Sequence, residues 1–312
     1  MGEKDITQKK LEDFAEVFAD IINVLLFGGE RRVKPDQIVS SSTESAYKAD
    51  GRIRSQKRDV AKYWEIDGVR IAMFGIENQT NAERYMPFRI ISYDGAEYRK
   101  EISVIDSISR ENTLARKNDP DAVLRSLPPA YPVISLVLYF GESRWEAPKT
   151  LKECMDYPDY LEPIIMDYPL NLFEITFLDD ETVERFQSDF RFVAEYFTQV
   201  RKSKDGVIDA VNMAPEEIVH VGEVLELIEA MTGDKNFTEA YNMSVKGGPI
   251  TMTTLSDIWI EKGISQGKYE TIMMLLRAGD ITDTRAAEIL GMTPEEFQKE
   301  YEKWLAKQGE EA

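Results

Sequence analysis

Eight consecutive residues, Val133-Ile134-Ser135-Leu136-Val137-Leu138-Tyr139-Phe140, are apolar but for one serine. A strand with one wet face alternates apolar and polar side chains, so this run fits a strand buried on both faces. Its covering layers are sought in the helical patterns around it. Within residues 8–27, Phe14, Val17, Phe18, Ile21 and Leu25 form one helical stripe, and Gly28-Gly29 supplies the stop. The other side of that helix carries Glu16, Asp20 and Asn23 in one polar row. Asp59 to Trp64 and Arg70 to Gln79 read as strands of a hairpin, with the tight turn at Asp67-Gly68. Residues 83–112 read as helix, with Pro87 at its first turn or at a kink, and Asn171 to Phe177 as a further strand. Periodic helical patterns then fill about 181–202, 215–231, 254–277, 283–290 and 294–306. The fold class expected is α/β, a mixed sheet flanked by helices, with an additional C-terminal α-helical region. The composition shift near 145–180 places a soft boundary between residues 1–180 and an acidic helical region, 181–312.

A chain of 312 residues with 43% hydrophobic content can bury a substantial core. No apolar run approaches the length that spans a bilayer, and Gly2 to Lys10 is too polar for a signal peptide, so the chain is expected in the cytoplasm and not in a membrane. The single cysteine, Cys154, excludes an intrachain disulfide and multi-thiolate metal sites. The single histidine, His220, excludes Ser-His-Asp triads and two-histidine metal sites, and reads as a helix-surface residue. Any chemistry must come from carboxylates, amides, hydroxyls and cations.

The net charge of −19 argues at first against a nucleic-acid partner, but residues 1–120 carry −1 of it and residues 121–312 carry −18. In the near-neutral part, Lys48, Arg52, Arg54, Lys57, Arg58 and Lys62 place six cations within fifteen residues. That cluster is either a phosphate-facing patch or a solvated basic loop.

Alternation along the second hairpin strand points Glu77 and Gln79 to one face and Asn78 to the other. Asp59 opens the neighbouring strand, so its carboxylate can approach Glu77 across the hairpin. Two converging carboxylates offer hard oxygen ligands suited to Mg2+ or Mn2+, and a cation held there can support hydrolysis of a phosphodiester. A charge ending the apolar run Ile71 to Ile76 is costly unless it is paired or functional.

The succession of helix, strand opening with Asp59, strand ending in Glu-x-Gln, helix and buried strand resembles the αβββαβ core of the PD-(D/E)XK, or restriction-endonuclease-like, nucleases. The missing strand is sought within 31–47. More closely, FADIINVLLFGG (Phe18 to Gly29), RDV around Asp59, IENQT (Ile76 to Thr80), MPFRIISYD (Met86 to Asp94), PVISLVLYFG with Trp145, and EKGISQGKYE resemble the Rpn recombination-promoting nucleases and transposases. The resemblance covers residues 1–180 well. It implies a DNA endonuclease linked to mobile DNA or phage defence, with Asp59 and Glu77 as metal ligands and Gln79 where the class usually has lysine. Asp20 matches the position of an extra acidic ligand in this class, with a solvated residue as the alternative. Glutamine can orient water and phosphate but brings no charge, so charge would be borrowed from Arg58, Lys62 or Arg89. Arg89 either faces the site and the DNA or serves as a surface ion-pair partner.

Residues 281–306 have the outline of a helix-turn-helix, with Gly291 at the turn. The second helix opens Pro294-Glu295-Glu296, whose charge repels phosphate, so the region is expected to pack or to form a homodimer instead of reading DNA. Two rival readings stand beside the endonuclease: a degenerate nuclease fold serving as an interaction module, and a transposase that joins strands as well as cutting them.

Overall fold

The computed structural model describes residues 11–49, 52–202, 218–233, 272–273, 276, 282–290 and 292–310. It is an α/β protein whose centre is a five-stranded mixed sheet. The first helix, α1 (Ala15–Phe27), ends where Gly28 and Gly29 adopt positive φ, which side chains disfavour. After it come β1 (Ile38–Ser40), a separate antiparallel pair β2 (Glu44–Ala49) and β3 (Arg52–Lys57), and the long hairpin β4 (Val60–Ile66) and β5 (Val69–Gln79). The hairpin turns at Asp67 and Gly68, both at positive φ, as a two-residue turn requires when its twist must match the strands. A 33-residue helix, α2 (Met86–Asn118), crosses over to β6 (Val133–Tyr139), and β7 (Asn171–Glu174) closes the sheet.

The strand order is β1-β4-β5-β6-β7, antiparallel through β5 and parallel beyond it. The strand sought within 31–47 is therefore β1. The apolar run becomes β6, an interior strand buried almost throughout. Against one face of it pack Met86, Ile90 and Tyr93 of α2, together with Trp145. Glu77 and Gln79 pair in register with Val137 and Tyr139, which places them on that same face.

Two compact units divide the chain, residues 1–250 and 251–312. The boundary expected at residue 180 falls inside the first unit. Beyond it, α3 (Phe190–Lys202) buries Phe190, Phe192 and Val193 completely, and α4 (Val221–Thr232) packs on α3. In the second unit, α5 (Asp283–Leu290) and α6 (Pro294–Glu310) enclose Ile272, Met273, Ala286, Ala287 and Phe297. Thr293 and Glu296 form a reciprocal cap at the start of α6. Most of the helix expected at 254–277, and Gly291, lie outside the described residues. None of the described helices is long and apolar enough to cross a membrane.

Candidate active site

Because β5 is longer than β4, its last residues run past the end of the hairpin ladder, which begins with Val60 opposite Ile76. Asp59 sits at that step. Its Oδ2 accepts the N–H of Asn78 at 2.9 Å, completing on one side a strand that β6 pairs on the other. Glu77 is 1% exposed and Asp59 8% exposed, so two carboxylates are buried at adjacent strand ends, as their spacing in the sequence suggests.

A third acid, which the sequence reading missed, joins them. Glu12, on the helical turn just before α1, is fully buried, and its Oε2 accepts the Asn78 side-chain amide at 2.8 Å. Asn78 points away from Glu77, as alternation requires, so it reaches Glu12 on the opposite face while its backbone holds Asp59. On the two faces of this strand end, three buried oxygens, Glu12 Oε1, Glu77 Oε1 and Asn78 Oδ1, have no hydrogen-bond partner. Burial, reinforced by the charge on Asp59, pushes the Glu77 carboxyl up to about 8 against the opposing pull of Arg89 and Arg58. Burial also raises Glu12 well above the usual carboxylate range. The site is thus short of positive charge.

The cation bonded directly to Glu77 comes from α2. Arg89 donates through Nη2 to Glu77 Oε2 at 2.8 Å, through Nη1 to Glu83 at 3.0 Å, and through Nε to the Tyr93 hydroxyl at 3.1 Å. The Tyr93 hydroxyl in turn donates to the Lys57 carbonyl at 2.8 Å. Beneath Asp59, the buried Arg58 donates to Asp94 at 2.5 Å and to Ser135 at 2.8 Å, and the Tyr168 hydroxyl also reaches Asp94. Gly75 makes this possible, since a Cβ there would lie 2.1 Å from the Arg58 guanidinium.

Residues 72–223 fit the model of the family described as "Putative transposase, YhgA-like". The match covers the central stretch of the chain. It contains Glu77, Asn78, Gln79 and Arg89, whereas Glu12 and Asp59 precede it. No curated protein and no solved structure matches the chain.

Several residues expected at this site prove to be engaged elsewhere. Asp20 accepts the backbone N–H groups of Gln187 and Ser188 at 2.8 and 2.7 Å and pairs with Arg31, so its carboxylate ties α1 to the end of the YhgA-like stretch. Asn23 of the same polar row exchanges two bonds with the Val33 backbone, and Glu16 reaches further. Glu16 bonds the His220 ring at 2.9 Å, and His220, expected on a helix surface, stacks on Phe14 at 3.6 Å. Two members of the basic cluster are buried. Arg58 and Lys62 are 4% and 2% exposed, and Lys62 donates to the Asp13 carbonyl at 2.8 Å. Lys57 is half-buried at the end of β3, and the side chains of Lys48, Arg52 and Arg54 lie outside the described part of the structure. Among the described residues no three His, Cys, Asp or Glu side chains form a ready-made metal cage.

A carboxyl raised in the fold stabilises the protonated native state. The contribution of Glu77 is therefore complete below the ordinary value of 4.5 and is lost as pH rises through about 8. Each pKa unit corresponds to about 1.4 kcal/mol, so the metal-free protein should lose on the order of a few kcal/mol of stability across that window. Urea midpoints measured with chelator at both ends of the window should converge in Glu77→Gln. Equal pH sensitivity in this variant and in wild type would show that Glu77 is not the group responsible.

Proposed function

We propose that this chain is a metal-dependent DNA endonuclease that hydrolyses phosphodiester bonds in the cytoplasm. The observation that carries this reading is the buried Asp59–Glu77 pair, with Glu77 Oε1 lacking any partner and the nearby positive charge insufficient. The YhgA-like match supports a transposase- or nuclease-type role for the same stretch.

The donor set fits Mg2+ or Mn2+: two hard carboxylates, with Glu12 behind them, suit a cation that keeps several waters and needs only one or two protein ligands. Such a cation would polarise the phosphate and acidify a water at neutral pH. Asp59 and Glu77 would hold it. Gln79, on the same face as Glu77, would orient water or phosphate through its amide without ligating the metal. Arg89 supplies the positive charge that lysine brings in other nucleases, held in place by Glu77, Glu83 and Tyr93.

Nicking of supercoiled plasmid by the purified full chain tests this. Activity is expected with Mg2+ or Mn2+ and none with chelator. Gln79→Ala should lower turnover roughly tenfold and Arg89→Ala roughly a hundredfold, both with an unchanged metal requirement. Gln79→Lys should preserve or raise the rate. Wild-type turnover in Gln79→Ala, or a folded but dead Gln79→Lys, would take Gln79 out of this role. An inert wild type with either metal would favour the interaction-module reading. Joined strands among the products would favour the transposase that the family description names.

A further inference from the structure

The first turn of α2 divides sharply between inside and outside. Met86 and Pro87 are buried in the core, while the flanking aromatics face solvent, Tyr85 at 55% exposure and Phe88 at 40%. Their rings lie 6.1 Å apart in an edge-to-face arrangement, and the Arg84 guanidinium is 5.8 Å from the Tyr85 ring. The segment is braced from behind, since the Cys154 thiol reaches the Arg84 carbonyl at 3.2 Å. It is also continuous with the candidate active site. Glu83 precedes the aromatic pair in sequence and Arg89 follows it, and Arg89 donates to both Glu83 and Glu77.

An exposed aromatic pair beside a cation is costly to leave in water, and it is what unstacked bases need: a π-face for the base and positive charge for its phosphate. A paired base inside a duplex offers no free face. We propose that Tyr85 and Phe88 form a stacking platform for an unpaired base next to the scissile phosphate, so that the site takes single-stranded or locally unpaired DNA in preference to continuous duplex. This rests on the nuclease reading for its cleavage, but not for its binding.

The test separates the two. Using full-length protein carrying Asp59→Asn, fluorescence anisotropy measures binding of a labelled oligothymidylate and of a duplex of equal length at fixed salt. Tyr85→Ala and Phe88→Ala should each weaken oligothymidylate binding on the order of tenfold, the scale of one stacked base, and leave duplex binding unchanged. Tyr85→Trp should retain it. In parallel, the wild-type chain should cut a bubble faster than the matched duplex. Equal losses on both DNAs, or none on either, overturn the platform even if cleavage is found. The expected binding pattern without cleavage by any metal upholds the platform and rejects the nuclease. Self-association of the wild type that Tyr85→Ala abolishes would make the patch a contact between copies and overturn the proposal.

Discussion

Asp59→Asn and Glu77→Gln are each expected to reduce Mg2+-dependent plasmid nicking by roughly a hundred- to a thousandfold, the scale on which one preorganised charged or polar group counts in a reaction. Both substitutions preserve shape, so the fold should survive. Asp59→Asn can still accept the Asn78 N–H through its carbonyl oxygen. Glu77→Gln keeps the shape of the protonated carboxyl, which is pushed up to about 8, and can no longer ionise in a buried place short of partners. Activity should therefore collapse while the circular-dichroism spectrum and the urea midpoint are held or improved. Glu12→Gln should cost less, roughly ten- to a hundredfold, because Glu12 acts through Asn78 on the position of Asp59. Nicking that persists in Asp59→Asn or Glu77→Gln would mean that the buried pair is structural.

The largest effect on stability is expected from Arg58→Ala. Arg58 and Asp94 have side chains 5% and 3% exposed, so removing the cation leaves a buried carboxylate with only the Ser135 and Tyr168 hydroxyls to serve it. Breaking such a pair costs about 3–5 kcal/mol, which for a unit of this size corresponds to a drop of roughly 6–20 °C in the thermal midpoint. Replacing both partners, Arg58→Met with Asp94→Leu, should recover much of that loss, because an apolar pair of similar volume avoids the desolvation penalty. A midpoint unchanged in Arg58→Ala would show that the guanidinium contributes little. Nicking should fall in Arg58→Ala beyond what unfolding explains, since Asp59 is its immediate chain neighbour.

What the sequence discloses depends on whether a residue's surroundings are local. The α1 stripe, the Asp67-Gly68 turn and the doubly buried β6 obey short periodicities, and each forms where its pattern lies. Alternation alone separates Asn78 from Glu77. The face that a cation takes is a different matter. Lys62 follows Val60 on the inward side of β4, so it is buried with its partners, although its neighbours in sequence suggested an exposed basic run. Glu12 precedes α1 and Asp20 lies within it, close in sequence, and only tertiary contacts decide that Glu12 meets Asn78 and Asp20 meets the chain near residue 187. Those contacts span 66 and 167 residues respectively, far beyond any window over which periodicity can speak.

The long reach of Asp20 also sets an order of events during synthesis. Its carboxylate, on a residue 3% exposed, is served by backbone N–H groups that follow it by 167 and 168 residues. At ribosomal rates of about 5–20 residues per second, those partners emerge roughly 10–30 s after Asp20 itself. Through that interval α1 can be helical, but the Asp20 carboxylate lacks the backbone N–H groups that hold it in the finished fold.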